Sequence, residues 1–124
     1  MTELFSFEKL TVYQKSRKLV ATVYNLIKKF PREEQFALSL QLRRCITSVP
    51  SNIAEQSGRT SLKEKIHHIE YSYGSLMEAF CQLQIGVDLE YIKESELEGV
   101  RGQFHEVSRL LNALSKSFKT QIPS

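Results

Sequence analysis

Glu64 and His67 stand three residues apart, a spacing that puts a carboxylate and an imidazole on one helix face, where they can share a metal ion. Di-metal centres in helical bundles need two such pairs plus further inward glutamates, and this is the only Glu-x-x-His in the chain. Both residues fall off the nearest apolar seam, and Glu64 also reads as a helix cap, so neither a metal nor a cofactor is expected. Helical nucleotide hydrolases hold magnesium with carboxylates three residues apart, and no two acids here have that spacing. His67 and His68 are adjacent and point in different directions, while His105 flanks the seam position Phe104; all three read as exposed or rim residues. Cys45 and Cys81 form neither a CxxC nor a zinc pattern and read as free thiols. Without a phosphate-binding glycine loop or a nucleophile elbow, no catalytic residue is nominated, and a non-enzymatic function is expected.

Basic side chains are the remaining chemistry-bearing set. The net charge is only +3, but Glu8 to Lys29 carries six bases against one acid, whereas Ser61 to Glu90 carries two lysines against five acids. Such asymmetry either steers an anionic ligand or pairs unlike helices within and between subunits. Arg43 and Arg44 lie off the adjacent apolar seam, where guanidinium groups can grip phosphates bidentately or bond carboxylates across a subunit boundary. Ser48, Asn52, Glu55 and Arg59 are spaced along the same helix. Lys15, Lys18, Lys29, Arg43, Arg44 and Arg59 are the nominated nucleic-acid contacts. No zinc finger, helix-turn-helix or aromatic RNA-binding strand accompanies them, so any binding of RNA or DNA is expected to be electrostatic and sequence-tolerant.

The elements that position these groups are four helices, at about 7–29, 32–57, 62–91 and 96–118, in one domain spanning 1–124. The third carries Leu62, Ile66, Ile69, Tyr73, Leu76, Phe80, Leu83 and Val87 in steps of four and three; Leu97 to Phe118 repeats the pattern in the fourth. In the first, Tyr13, Ser16, Val20, Val23, Ile27 and Phe30 form the seam; the second has Leu38, Leu42, Cys45, Val49 and Ile53. Pro31 followed by Glu33 and Glu34 predicts the start of helix two, and Gly58 a left-handed residue at its end. Ser61 with Glu64, and Ser95 with Glu98, predict capping boxes. Short connections make sequential helices neighbours, which predicts an all-α, antiparallel, up-down-up-down four-helix bundle.

Pro50 contradicts its surroundings, because inside a helix it removes a donor and clashes with the Ile46 carbonyl, at about 3 kcal/mol. Either helix two is kinked there, with Ser48 or Asn52 bonding the freed carbonyl, or two helices meet at Pro50. Gly74 and Gly86 inside helix three suggest close helix approach.

A second apolar stripe remains. Phe5, Val12, Leu19 and Leu26 recur every seven residues on helix one, and Met77, Cys81, Ile85 and Leu89 every four on helix three. They form either a subunit interface or the edge of one broad buried face. An apolar content of 41% suffices for a core without metals or disulfides. Neither a secretory signal at the acidic amino terminus nor a membrane span is expected, which suggests a cytoplasmic protein without a membrane partner.

Phe30-Pro31, Gln41-Leu42-Arg43-Arg44, the run Ser48-Val49-Pro50-Ser51-Asn52-Ile53-Ala54-Glu55, then Gly58-Arg59 and Gly74-Ser75-Leu76-Met77-Glu78 together resemble the bacterial four-helix bundle family named for intervening sequences of 23S ribosomal RNA genes. The resemblance extends from about Phe7 to Phe118. Gln56 stands where that family usually has glycine, and Tyr13 where it often has tryptophan. The resemblance implies a left-handed bundle assembling into a homo-oligomeric ring, a pentamer, with no enzymatic activity. A related branch, the accessory protein of diversity-generating retroelements, is a basic pentameric barrel associated with nucleic acid and a reverse transcriptase. The resulting expectation is a homo-oligomeric, RNA-associated scaffold; a protein–protein adaptor ring that binds another protein is the alternative.

Overall fold

The computed structural model describes residues 2–123. Four helices make up the fold: α1 (Thr11–Ile27), α2 (Leu38–Gln56), α3 (Leu62–Asp88) and α4 (Glu94–Thr120), with short 3-10 turns at Ser6–Lys9 and Arg32–Glu34. Each helix packs on its neighbour in the chain and α1 closes onto α4, forming a four-helix bundle around one core. Leu19 and Val23 of α1, Leu42, Ile46, Val49 and Ile53 of α2, Ile69, Leu76 and Leu83 of α3, and Leu97, Val107 and Leu111 of α4 are almost wholly buried. Each such side chain contributes about 1.5–3 kcal/mol relative to exposure.

The α2–α3 seam is the most polar part of the interior. Ser72 Oγ donates to the Val49 carbonyl at 2.9 Å, Ser75 Oγ donates to Ser48 Oγ at 2.9 Å, and Lys65 Nζ donates to the Gln56 carbonyl at 3.0 Å. The α3 partner's number falls as the α2 number rises. Small side chains here let the two backbones approach, and the hydroxyls satisfy groups that burial would otherwise orphan.

Helix α2 runs without interruption through Pro50, which sets aside two helices meeting there. The expected repair differs, however. Asn52 Nδ2 donates to the Ser48 carbonyl and Ser51 Oγ to the Thr47 carbonyl, rather than to Ile46. One turn along, these bonds reinforce the helix beside the missing donor.

Several predicted boundaries move. Helix one starts at Thr11 instead of 7, because Leu10 is extended and Ser6–Lys9 forms its own turn, closed by Glu8 Oε2 accepting from the Phe5 amide at 2.7 Å. Helix two starts at Leu38: the signal at Pro31 is spent on a single 3-10 turn, Arg32–Glu34, and Ala37 leaves the helical region just before α2 begins. Ser61 does accept from the Glu64 amide. The Ser95–Glu98 box does not form, since Glu96 accepts from the Lys93 amide at 2.9 Å and α4 begins two residues earlier, at Glu94. Gly58 is not left-handed; Glu90 is, with φ 65°. It closes α3 with Tyr91 N–H bonding the Gly86 carbonyl and Glu90 N–H bonding Val87, a Schellman arrangement built on a glutamate.

Gly86 has the role predicted for it. A Cβ there would meet Phe30 Cζ at 2.7 Å, so the Phe30 ring lies directly on the α3 backbone. A Cβ on Gly74 would meet nothing within 4 Å, and the expectation of close approach within the subunit fails at that position.

Candidate nucleic-acid interface

Cations reach the surface from α1 and α2, and their surroundings divide them. Lys15 pairs with Glu106 of α4 at 3.6 Å, Lys29 with Glu96, and Arg59 with Glu55 one turn away at 3.2 Å. Such exposed pairs contribute about 0–1 kcal/mol each, but they neutralise the local field. Lys18 and Arg44 are exposed and make no ion pair among the described residues. Arg43 donates from Nη2 to the Gln35 carbonyl at 3.0 Å and makes no ion pair among them either. Of the six nominated contacts, three are therefore committed to carboxylates.

Two cations absent from the nominated set, Lys28 and Arg32, converge with Arg43 around the α1–α2 connection. Among the described residues no carboxylate lines that concavity. The nearby Glu34 is engaged elsewhere, accepting from Tyr91 Oη at 2.8 Å and from the Leu38 amide. That bond and Glu34's charge raise the Tyr91 phenol above its ordinary pKa.

The proposed interface residues also divide. Val12, Leu19 and Leu26 are 5%, 0% and 8% exposed and belong to the subunit's own core, so they offer nothing to a second copy. Helix α1 is flanked by both α2 and α4, and this widens its buried face until it includes both apolar stripes, with Tyr13 and Val20 at the margin. Phe5, Met77, Ile85 and Leu89 are exposed, as is Cys81. Met77, Cys81 and Ile85 of α3, with Leu89 just past its end, form an outward stripe beside an open cleft of about 310 Å³ between α3 and α4, lined by Tyr73, Met77, Phe80, Cys81 and Phe104. Arg101 roofs the Phe80 ring at 4.8 Å while pairing with Glu98, whose carboxyl it holds below the ordinary range.

The residues first examined for catalysis are placed as follows. Among the described residues no three His, Cys, Asp or Glu side chains gather as a metal site. His67 is exposed with its ring edge-on to Tyr71, whereas His68 Nδ1 lies 3.0 Å from Asn52 Oδ1 and 3.4 Å from Glu55 Oε2. Because Asn52 Nδ2 donates to Ser48, its Oδ1 accepts, and His68 Nδ1 carries the proton. Ser75, Ser48, Asn52, His68, Glu55 and Arg59 thus form one continuous chain along the α2–α3 seam. Both cysteines are free thiols; burial first, and then Glu78, push Cys45 up to about 11. No described helix is long and apolar enough to cross a membrane.

This bundle, with its Arg43-Arg44 pair and its Ser48–Asn52 seam, matches the family model described as 23S rRNA-intervening sequence protein over residues 8–113. The chain belongs to that family. The structure is also similar to a crystal structure of a protein of unknown function from the S23 ribosomal protein family of Bacteroides thetaiotaomicron, with TM-score 0.76 and 26% identity. That match covers 85% of this chain and 95% of the other. No curated protein matches. Neither family description indicates a catalytic class.

Proposed function

We propose that this protein is a non-enzymatic, cytoplasmic building block that self-associates through the outward stripe of α3 and associates with RNA through cations that have no carboxylate partner. The observation that carries the reading is the uneven pairing of the cations. Lys15, Lys29 and Arg59 are neutralised within the subunit, while Lys18, Arg44 and the Lys28–Arg32–Arg43 group have no carboxylate partner among the described residues. Ring assembly, pentameric by the resemblance, would repeat this group around an axis and multiply its attraction for a polyanion. A phosphate backbone is the natural partner for cations with no base-reading element beside them.

The test is fluorescence anisotropy with a labelled single-stranded RNA of random sequence. Replacing Lys18 and Arg44 together by Ala is expected to weaken binding at least ten-fold, whereas Lys15→Ala with Arg59→Ala changes it less than three-fold. Equal losses in the two double variants refute the assignment. A second reading, a protein–protein adaptor, is favoured by the apolar cleft at Met77, Phe80 and Phe104. Absence of RNA binding even at low salt, with the assembly intact, selects it.

A further inference from the structure

Where α1 hands over to α2, Tyr24, Lys28, Arg32, Gln35, Ser39 and Arg43 surround an open concavity of about 350 Å³. This volume lies at the lower end of the range for small-molecule sites, about 300–1,000 Å³. Three of its walls are cationic and none is acidic. Arg43 is steadied by its bond to the Gln35 carbonyl, which uses one N–H and leaves the rest of the fork free. Ser39 is only 3% exposed, and it lines the concavity. It is also the second residue of α2, whose first amide, Leu38, already donates to the Glu34 carboxylate. Tyr24 supplies a half-buried aromatic ring on the same wall.

We propose that this concavity binds a nucleoside monophosphate, free or as the phosphorylated end of an RNA strand. A terminal monoester carries about 1.5 to 2 negative charges and three acceptor oxygens, against a single charge on an internal diester, and three cations with a buried hydroxyl suit the former. In this assignment Arg43 takes two phosphate oxygens, Lys28 and Arg32 neutralise the remaining charge, Ser39 donates to the third oxygen, and the base stacks on Tyr24. Assignment to a strand end rests on the RNA reading above; the phosphate pocket rests on its own geometry.

The experiment titrates the isotope-labelled full chain with uridine 5′-monophosphate, uridine or inorganic phosphate, following amide shifts. In parallel it measures binding of one RNA sequence as a 5′-phosphorylated strand, a 5′-hydroxyl strand and a closed circle. The expected result is shifts at Ser39 and its neighbours, with the monophosphate at least ten-fold tighter than uridine and than phosphate alone. The phosphorylated strand should bind about ten-fold tighter than the hydroxyl strand. Arg43→Gln, and independently the exposed Lys28→Ala, should remove that preference while leaving the far-ultraviolet circular dichroism unchanged. Equal binding of uridine and its monophosphate, equal binding of phosphate and the nucleotide, or a preference that survives both variants overturns the proposal. The circle keeps the two readings separate: a bound circle without end preference sinks the pocket alone, and end preference with an unbound circle sinks the wider RNA surface alone.

Discussion

Replacing Leu19 by Glu distinguishes a residue of the subunit core from a residue of an interface, and the size of the effect follows from its burial. Leu19 is 0% exposed. Losing the leucine side chain from such a site removes about 1.5–3 kcal/mol of burial. The glutamate that replaces it has no cation nearby in the core, so it folds only when protonated. At pH 7 that costs about 3.7 kcal/mol, from an unfolded pKa of about 4.3 and about 1.4 kcal/mol per unit. The sum, about 5–7 kcal/mol, reaches the lower bound of stability for a chain of 124 residues, about 6 kcal/mol. The sign with pH is fixed: the folded pKa is raised, so the ionisation penalty is absent below about pH 4.3 and grows as pH rises. Urea denaturation followed by circular dichroism at pH 4 and pH 7 reads both terms. Leu19→Glu should be largely unfolded at pH 7 and recover helix towards pH 4, relative to the wild type at each pH. Ile85→Glu, at a site 40% exposed, should keep its helix at both pH values and shed only the assembly. A Leu19→Glu protein with wild-type helix content and urea midpoint at pH 7 refutes the placement of helix α1.

Gly86→Ala should destabilise by about 1–2 kcal/mol, overpacking against Phe30 outweighing the helix-propensity gain, whereas Gly74→Ala in a dissociated background such as Ile85→Glu should stabilise by about 1 kcal/mol, both by urea midpoint. Glu90→Gly should raise stability by up to about 1 kcal/mol, because the left-handed backbone at φ 65° strains any residue with a side chain. In the same dissociated background, alkylation at pH 8 followed by mass spectrometry should modify exposed Cys81 well before Cys45, whose thiol is pushed up to about 11 and is scarcely ionised.

The alternating steps of three and four from Leu62 to Val87 and from Leu97 to Phe118 mark α3 to within one residue and α4 to within three, because a seam facing neighbouring helices has to keep that period. Boundaries were less legible where two local signals competed. Pro31, Glu33 and Glu34 are correct signs of a helical turn, but nothing in their types tells a 3-10 turn from the first turn of α2. Why the sequence left Val12, Leu19 and Leu26 between an interface and a broad buried face has a physical source: how wide a buried face is depends on how many neighbours flank the helix, and no residue on α1 encodes that. Surface pairing is equally tertiary. Lys15 and Glu106 lie on opposite ends of the sequence, so the charge count in α1 overstated the cations available. Lys28 and Arg32 went unnominated although they bracket Phe30-Pro31, the connection that brings them to Arg43; bases flanking a proline turn with no acid facing them were the available signal.

Self-association and RNA association together are tested most directly by sedimentation velocity of the wild-type protein with a labelled single-stranded RNA at about 50 and 200 mM salt. With three or more phosphates neutralised per subunit, the four-fold rise in salt should weaken binding at least about 20-fold. The predicted result is RNA sedimenting with a multiple of the 14.3 kDa subunit at low salt, and a free assembly with free RNA at high salt. A 14.3 kDa protein beside uncomplexed RNA at both salt concentrations contradicts the account.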